Sequence, residues 1–292
     1  MARRKSMSQR ESFRPLKRLG QNFLVDPNIP EKIISSAGFQ SSDVVLEIGP
    51  GQGALTLPLS RTVSRIVAVE KDARLADFLQ RRLTTLDIST VDLVCQDILR
   101  VDFGAIPLPS SQKIQVIGNL PYNISSPVLK KLIDHREKVS RAVLMFQREV
   151  AERLTAPPCA RGYGAMTLLI RYHARPMRLF EVPRSAFYPI PKVDSMVIEL
   201  DFERPYPSHG VDENAFRNAV KGAFAHRRKT VLNSLKGFLP VWTPDVVLKG
   251  LRASSIDPAR RAETLTMDEF LMLSSMLTVD NREMGRYKYK FC

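Results

Sequence analysis

The stretch Val44-Val45-Leu46-Glu47-Ile48-Gly49-Pro50-Gly51-Gln52-Gly53 decides the fold. Its first five residues form a nearly continuous apolar run, which predicts a strand buried on both faces. The alternate glycines predict a tight turn whose backbone approaches a ligand closely before entering a helix. The spacing is G-x-G-x-G, whereas dinucleotide sites use G-x-G-x-x-G. The loop also carries no Lys or Ser for phosphates, and Glu47 stands just before it. A pyrophosphate would be repelled there, whereas a cationic ligand could be received; a nicotinamide-linked dehydrogenase would need the other glycine spacing. S-adenosylmethionine, with a sulfonium and an amino group, has the right charge.

Working outward, short apolar runs alternate with helical patterns between about residues 20 and 203, as a doubly wound α/β sheet requires. Further strands are expected at 65–70, 91–95, 114–117 and 142–146, and a later one at 193–202, of the kind that pairs antiparallel at a sheet edge. Helices are expected at 27–37, 53–62, 72–85 and 126–135, although Pro58 inside the second of these is anomalous. Glu70 ends the second strand of the series, 21 residues after Gly49, where an acidic group accepts from ribose hydroxyls. Asp97, just past the third, is placed to accept from an adenine amino group. Gly49, Gly51, Gly53, Glu70 and Asp97 thus fall at successive strand ends and form the candidate cofactor site.

Asn119-Leu120-Pro121-Tyr122 follows the fourth strand. Methyl transfer to an exocyclic amine is an in-line displacement by a nitrogen whose lone pair is delocalised into its ring. Acceptors aimed at the amino hydrogens, here the Asn119 side-chain oxygen and the Leu120 carbonyl, favour the pyramidal, nucleophilic form. Tyr122 offers a stacking face for an extruded base. No strong base is needed, since the nitrogen becomes acidic only once methylated. In Phe187-Tyr188-Pro189-Ile190-Pro191-Lys192-Val193 the prolines stiffen a loop, and Phe187 either sandwiches the base opposite Tyr122 or anchors the core.

The composition, 44% hydrophobic and 25% charged over 292 residues, excludes disordered and fibrous classes and leaves room for about two domains. Three cysteines (Cys95, Cys159 and Cys292) without a CxxC pair, and four scattered histidines, give no disulfide framework and no metal site. No segment has the apolar length of a membrane span, and the start lacks a secretory core. A reducing, cytoplasmic setting is expected. An Arg- and Ser-rich start also resembles an organellar transit peptide, against which Glu11 and its shortness count.

The net charge of +14 is unevenly placed: residues 1–18 carry +6, 19–203 carry +2 and 204–292 carry +6. Clustered charge points to an anionic partner such as nucleic acid. A Pro-, Ser- and Gly-rich linker at 202–210 precedes a region of helices only, expected at 212–225, 229–237, 243–251 and 266–277, the last opened by the capping box Thr266-Met267-Asp268-Glu269. Residues 217–236 hold Arg217, Lys221, Arg227, Arg228, Lys229 and Lys236 without an acidic residue, and are expected to share one side of a helical hairpin as a phosphate-binding face. The expected division is a basic tail (1–18), a catalytic domain (19–203) and a helical RNA-binding domain (204–292).

The glycine loop, the Asn119 tetrapeptide, the Phe187 segment, Leu19-Gly20-Gln21-Asn22-Phe23-Leu24 and His226-Arg227-Arg228-Lys229-Thr230 together resemble the small-subunit ribosomal RNA adenine N6,N6-dimethyltransferases, from Lys17 to about Leu273. The resemblance implies a Rossmann-like class I methyltransferase domain with a smaller all-helical C-terminal domain. It also implies dimethylation of two adjacent adenosines near the 3′ end of small-subunit rRNA, by a monomer acting on an immature 30S-type particle. Asn22, Leu24, Gly49, Glu70, Asp97 and Asn119 would contact S-adenosylmethionine. Asn119, Leu120, Pro121, Tyr122 and Phe187 would hold the adenine. The large-subunit adenine methylases of antibiotic resistance share the cofactor and tetrapeptide patterns, but the basic segment and helical tail favour the small-subunit branch. Glutamine and DNA amino-methylases usually carry Pro where Leu120 stands. A non-catalytic RNA-binding assembly factor is the alternative from another class.

Overall fold

The computed structural model describes residues 15–16, 19–109, 112–207 and 210–277. The basic tail therefore lies outside the described residues except for Pro15 and Leu16, as does Cys292. A seven-stranded sheet is built from β2 (Val44–Ile48), β3 (Arg65–Glu70), β4 (Val91–Cys95), β5 (Ile114–Asn119), β6 (Val139–Gln147), β7 (Arg175–Val182) and β9 (Ser195–Asp201). Its order is β4-β3-β2-β5-β6-β9-β7. The pairs from β4 through β6 are parallel, and β9 runs antiparallel to both of its neighbours. A separate two-stranded ribbon joins β1 (Phe23–Leu24) to β8 (Phe187–Tyr188).

Period-two alternation sends Leu46 and Ile48 to one face of the sheet and Val45 to the other. The first face packs on Val128, Leu129 and Leu132 of α4 (Ser125–Asp134), and the second on Ile33 and Ile34 of α1 (Asn28–Ala37). With both faces covered, the central strands β2 and β3 read as nearly continuous apolar runs. The expected helix at 53–62 shrinks to α2 (Thr56–Leu59). Pro58 sits in its only turn, between the bonds from Leu57 N to Gly53 O and from Leu59 N to Leu55 O. The missing N–H therefore shortens the helix instead of kinking a long one. The helix expected at 72–85 is α3 (Ala73–Thr85), started by the Asp72 side chain, which accepts from Arg74 N.

The late strand departs from expectation in position. It is antiparallel but interior, and β7 takes the edge. The sequence of β7, Arg175-Pro176-Met177-Arg178-Leu179-Phe180-Glu181-Val182, has charges and a proline that only an edge strand accommodates. Two helices also precede it, α5 (Arg148–Thr155) and α6 (Ala165–His173).

Beyond the linker come α7 (Glu213–Phe224), α8 (Val231–Leu235), α9 (Pro244–Ala253) and α10 (Met267–Met276). Asp212, Thr230, Thr243 and Thr266 each accept from the backbone N–H three residues on, and Glu269 completes the capping box with Thr266. Such caps stabilise a helix start by about 1 kcal/mol each. The helices close on Phe216, Trp242, Leu251 and Phe270, and this core also takes Ala156, Tyr163 and Leu168 from the chain before the linker. The basic triplet Arg227, Arg228 and Lys229 lies in the turn between α7 and α8, not on a helix. The short α8 begins only at Val231 because Thr230 is its cap.

Candidate active site

Strand order reverses between β2 and β5, and the carboxyl ends of the strands around that point border one cavity. Gly49 and Gly51 after β2, Glu70 at the end of β3, Asp97 after β4 and Asn119 at the end of β5 all line it. So do Asn22, Phe23 and Leu24, which the ribbon of β1 and β8 holds across the opening. Asn22 and Asn119, 97 positions apart, thus meet at one place.

Each glycine of the loop has positive φ: +68° at Gly49, +57° at Gly51 and +84° at Gly53. Gly51 packs under the Phe23 ring and donates its N–H to Glu70 Oε2 at 3.0 Å. Gly53 does not line the cavity; its α-carbon packs against Leu79 of α3, where a β-carbon would come within 2.7 Å of a methyl group. Its place is in docking the loop on the helix.

Glu70 is an organising acceptor. Besides Gly51 it receives Asp72 N at 2.8 Å on Oε1, and burial pushes its pKa up. Asp97 is held differently: Lys71 Nζ lies 2.7 Å from Oδ2, and that bond lowers its pKa, so it is ionised. Glu47, which was noted only for its charge, is 1% exposed and borders the cavity. Burial is the chief cause that raises its pKa to about 8, with the Glu70 charge adding to it, and its Oε2 has no hydrogen-bond partner among the described residues. Gln21, also unforeseen, donates to Asp72 at 3.0 Å and ties the segment before β1 to the start of α3.

The Asn119 amide nitrogen donates to the Asn22 carbonyl at 3.0 Å, while Asn22 Nδ2 donates to the Gly20 carbonyl at 3.2 Å. This fixes the amide so that Oδ1 is the atom without a protein partner among the described residues. Leu120 is buried, Pro121 and Tyr122 border the cavity, and the Tyr122 hydroxyl lies 3.0 Å from Ser195 Oγ on β9. Sequence reading missed Ser195; its only signal was a hydroxyl at the start of a strand whose next three residues are apolar. Phe187 is 1% exposed and packs in the core behind Leu24, its partner across the ribbon, outside the cavity lining.

Of the basic residues, Arg217 pairs with Glu213 at 2.6 Å, and Arg136 reaches the same carboxylate at 3.3 Å. Partial burial, then the charges of Arg217 and Lys130, lower the Lys221 pKa. Arg227, Arg228 and Lys229 are exposed. No helix among the described residues is long and apolar enough to cross a membrane.

The model of the family described as ribosomal RNA adenine dimethylase matches residues 12–278. A ribosomal RNA small subunit methyltransferase A from Desulforapulum autotrophicum is 46% identical over 89% of this chain and 91% of its own length. One from Magnetococcus marinus is 41% identical over 93% and 95%. Among solved structures, a dimethyladenosine transferase from Plasmodium falciparum superposes with a TM-score of 0.71 at 30% identity, covering 86% of this chain and 95% of that one. The 23S rRNA methyltransferase ErmE, at 23% identity and a TM-score of 0.67 over 87% of this chain and 99% of its own, shares the fold. With the match running through the strand ends, the ribbon and the helical tail alike, the chain belongs to the ribosomal RNA adenine dimethylase family.

Proposed function

We propose that this protein transfers methyl groups from S-adenosylmethionine to N6 of two adjacent adenosines near the 3′ end of small-subunit rRNA. It does so as a monomer in the cytoplasm, on an immature small-subunit particle and as a step in its assembly. The observation that carries the reading is the Asn119 amide, whose nitrogen is taken by Asn22 and whose oxygen is left to accept from an incoming amine.

The cavity fits the cofactor. Its glycine loop has no basic side chain, Glu47 brings an unpartnered buried oxygen to its wall, and Glu70 and Asp97 stand at the ends of the next two strands. These groups suit a cation with a ribose and an adenine. When bound, the cofactor supplies an electrophilic methyl group on a sulfonium. The chain then binds and orients: Asn119 Oδ1 and the Leu120 carbonyl accept from the adenine amino hydrogens, which concentrates the lone pair on N6. The Tyr122 ring stacks on the base. The proton is lost to solvent after methylation, so no buried base is required. Phe187 supports Leu24, and through it the wall of the cofactor site.

The test is methyl transfer from labelled cofactor to small-subunit particles lacking the modification, with dimethyladenosine mapped in the RNA. Wild-type protein is expected to label two neighbouring adenosines, and Asn119→Ala to lose nearly all transfer while still binding cofactor. Cofactor binding without transfer by the wild type would instead identify a non-catalytic assembly factor.

A further inference from the structure

A second cleft, of about 630 Å³, opens where α5 and the loop after it face β7 and the turn between α7 and α8. It shares no lining residue with the catalytic cavity. Arg153, Arg161, Arg178 and Arg227 line it, brought together from four segments of the chain. Two carboxylates, Glu149 and Glu152, line it too, but each is matched along its own helix: Arg153 takes Glu149 at 2.7 Å and Arg148 takes Glu152 at 2.8 Å. Arg161, Arg178 and Arg227 have no carboxylate partner among the described residues.

Two of these guanidinium groups, those of Arg227 and Arg178, are each pinned by a hydrogen bond to the rim. Arg227 donates one Nη to the Arg161 carbonyl at 3.0 Å, which fixes the turn after α7 to the rim. Arg178 donates Nε to Thr155 Oγ1 at 2.5 Å, which leaves both Nη groups without a hydrogen-bond partner among the described residues. A merely solvated surface lets like charges spread apart. Here the fold brings them around one concavity, where a bound anion would relieve their mutual repulsion. Planar guanidinium forks match the paired oxygens of a phosphodiester.

We propose that this cleft is a backbone-binding site for RNA, in which Arg161, Arg178 and Arg227 grip phosphates of the substrate at a point separate from the methylated nucleotide. The inference rests on the methylation reading above and adds a second point of attachment to it. A strand held at two places is fixed in direction as well as position, which a cavity for a single base cannot achieve. Of the three arginines, Arg161 and Arg178 belong to no basic run of the sequence, so the site exists only through the fold.

The experiment uses the full chain with the paired replacement Arg161→Gln and Arg178→Gln, and separately Arg161→Glu, whose side chain has no protein partner to lose. Binding to small-subunit RNA is measured across a salt series, alongside cofactor affinity by calorimetry and thermal melting. The expected result is weaker RNA binding with a log–log salt slope shallower by about 1.5 to 2 for the pair, unchanged cofactor affinity, and a further loss for the charge reversal. RNA affinity and salt slope equal to wild type in both variants would overturn the cleft assignment. So would wild-type binding to naked RNA combined with weakened binding to the whole particle, which would identify a protein in the cleft. Failure of the wild type to methylate any small-subunit adenosine would overturn the underlying reading instead, so the two failures are distinguishable.

Discussion

Replacing Glu47 with Gln should change how the stability of the protein depends on pH. The folded carboxyl keeps its proton up to about pH 8, because burial removes the water that would solvate its charge, whereas the usual carboxylate value is 4.5. Between those values the unfolded chain is ionised and the folded one is neutral, so unfolding releases a proton. Stability must then fall as pH rises through this window and level off above about 8, where both states are charged. Each pH unit inside it is worth about 1.4 kcal/mol, so moving from pH 5.5 to 7.5 costs the wild type about 3 kcal/mol through this one group. Glu47→Gln keeps the shape, holds no titratable proton and escapes that loss, while Glu70, whose pKa is also raised, is present in both proteins. Urea unfolding followed by circular dichroism at several pH values reads the difference between the two proteins directly. Glu47→Gln should gain about 3 kcal/mol on the wild type across that range. A difference that stays constant with pH would refute the neutral buried carboxyl.

Four other outcomes are expected. Tyr122→Phe and Ser195→Ala should each cost little turnover, and the double replacement no more than the larger single one, because both remove the same 3.0 Å hydroxyl contact. Tyr122→Ala should lose most activity, and kinetics in which Phe and Ala at 122 are equally inactive would move the role from the ring to the hydroxyl. Gly118→Ala would place a methyl group 2.9 Å from the Ile48 carbonyl oxygen between two paired strands, so melting should show a loss of roughly 1–3 kcal/mol and cofactor affinity should fall with it. Replacing Arg227, Arg228 and Lys229 together with Gln should weaken particle binding and flatten its salt slope by about 2 to 3, with cofactor affinity intact; near-wild-type binding at every salt concentration would return the triplet to an ordinary solvated turn.

Local chemistry explains which features were legible before the fold was known. Four of the sheet strands, β2, β3, β5 and β6, announce themselves by apolar runs because a strand covered on both faces has little polar side to show, whereas β4 at the sheet edge is only half-covered. The glycine loop is legible because few other residues adopt the positive φ its turn requires. The C-terminal helices are legible from caps that act within three residues, such as Thr266 with Glu269. The candidate site acids Glu70 and Asp97 are found the same way, as polar residues at the ends of apolar runs.

What the sequence could not supply are quantities set by distant parts of the chain. That β9 lies between β6 and β7 is a matter of strand order, and the β7 pattern is that of an edge whose partner is not local. Phe187 faces the core because the ribbon with β1 puts it behind Leu24, a pairing across 163 positions. Glu47 resembles any acidic residue until both sheet faces close over it and take away its solvent. Ser195 meets Tyr122 across 73 positions, and the arginines of the second cleft converge from four segments. Propensity and periodicity act over a few residues and so fix elements, caps and loops; burial, pKa and convergence depend on which surfaces meet, and that is settled only when the sheet, the ribbon and the helical core pack together.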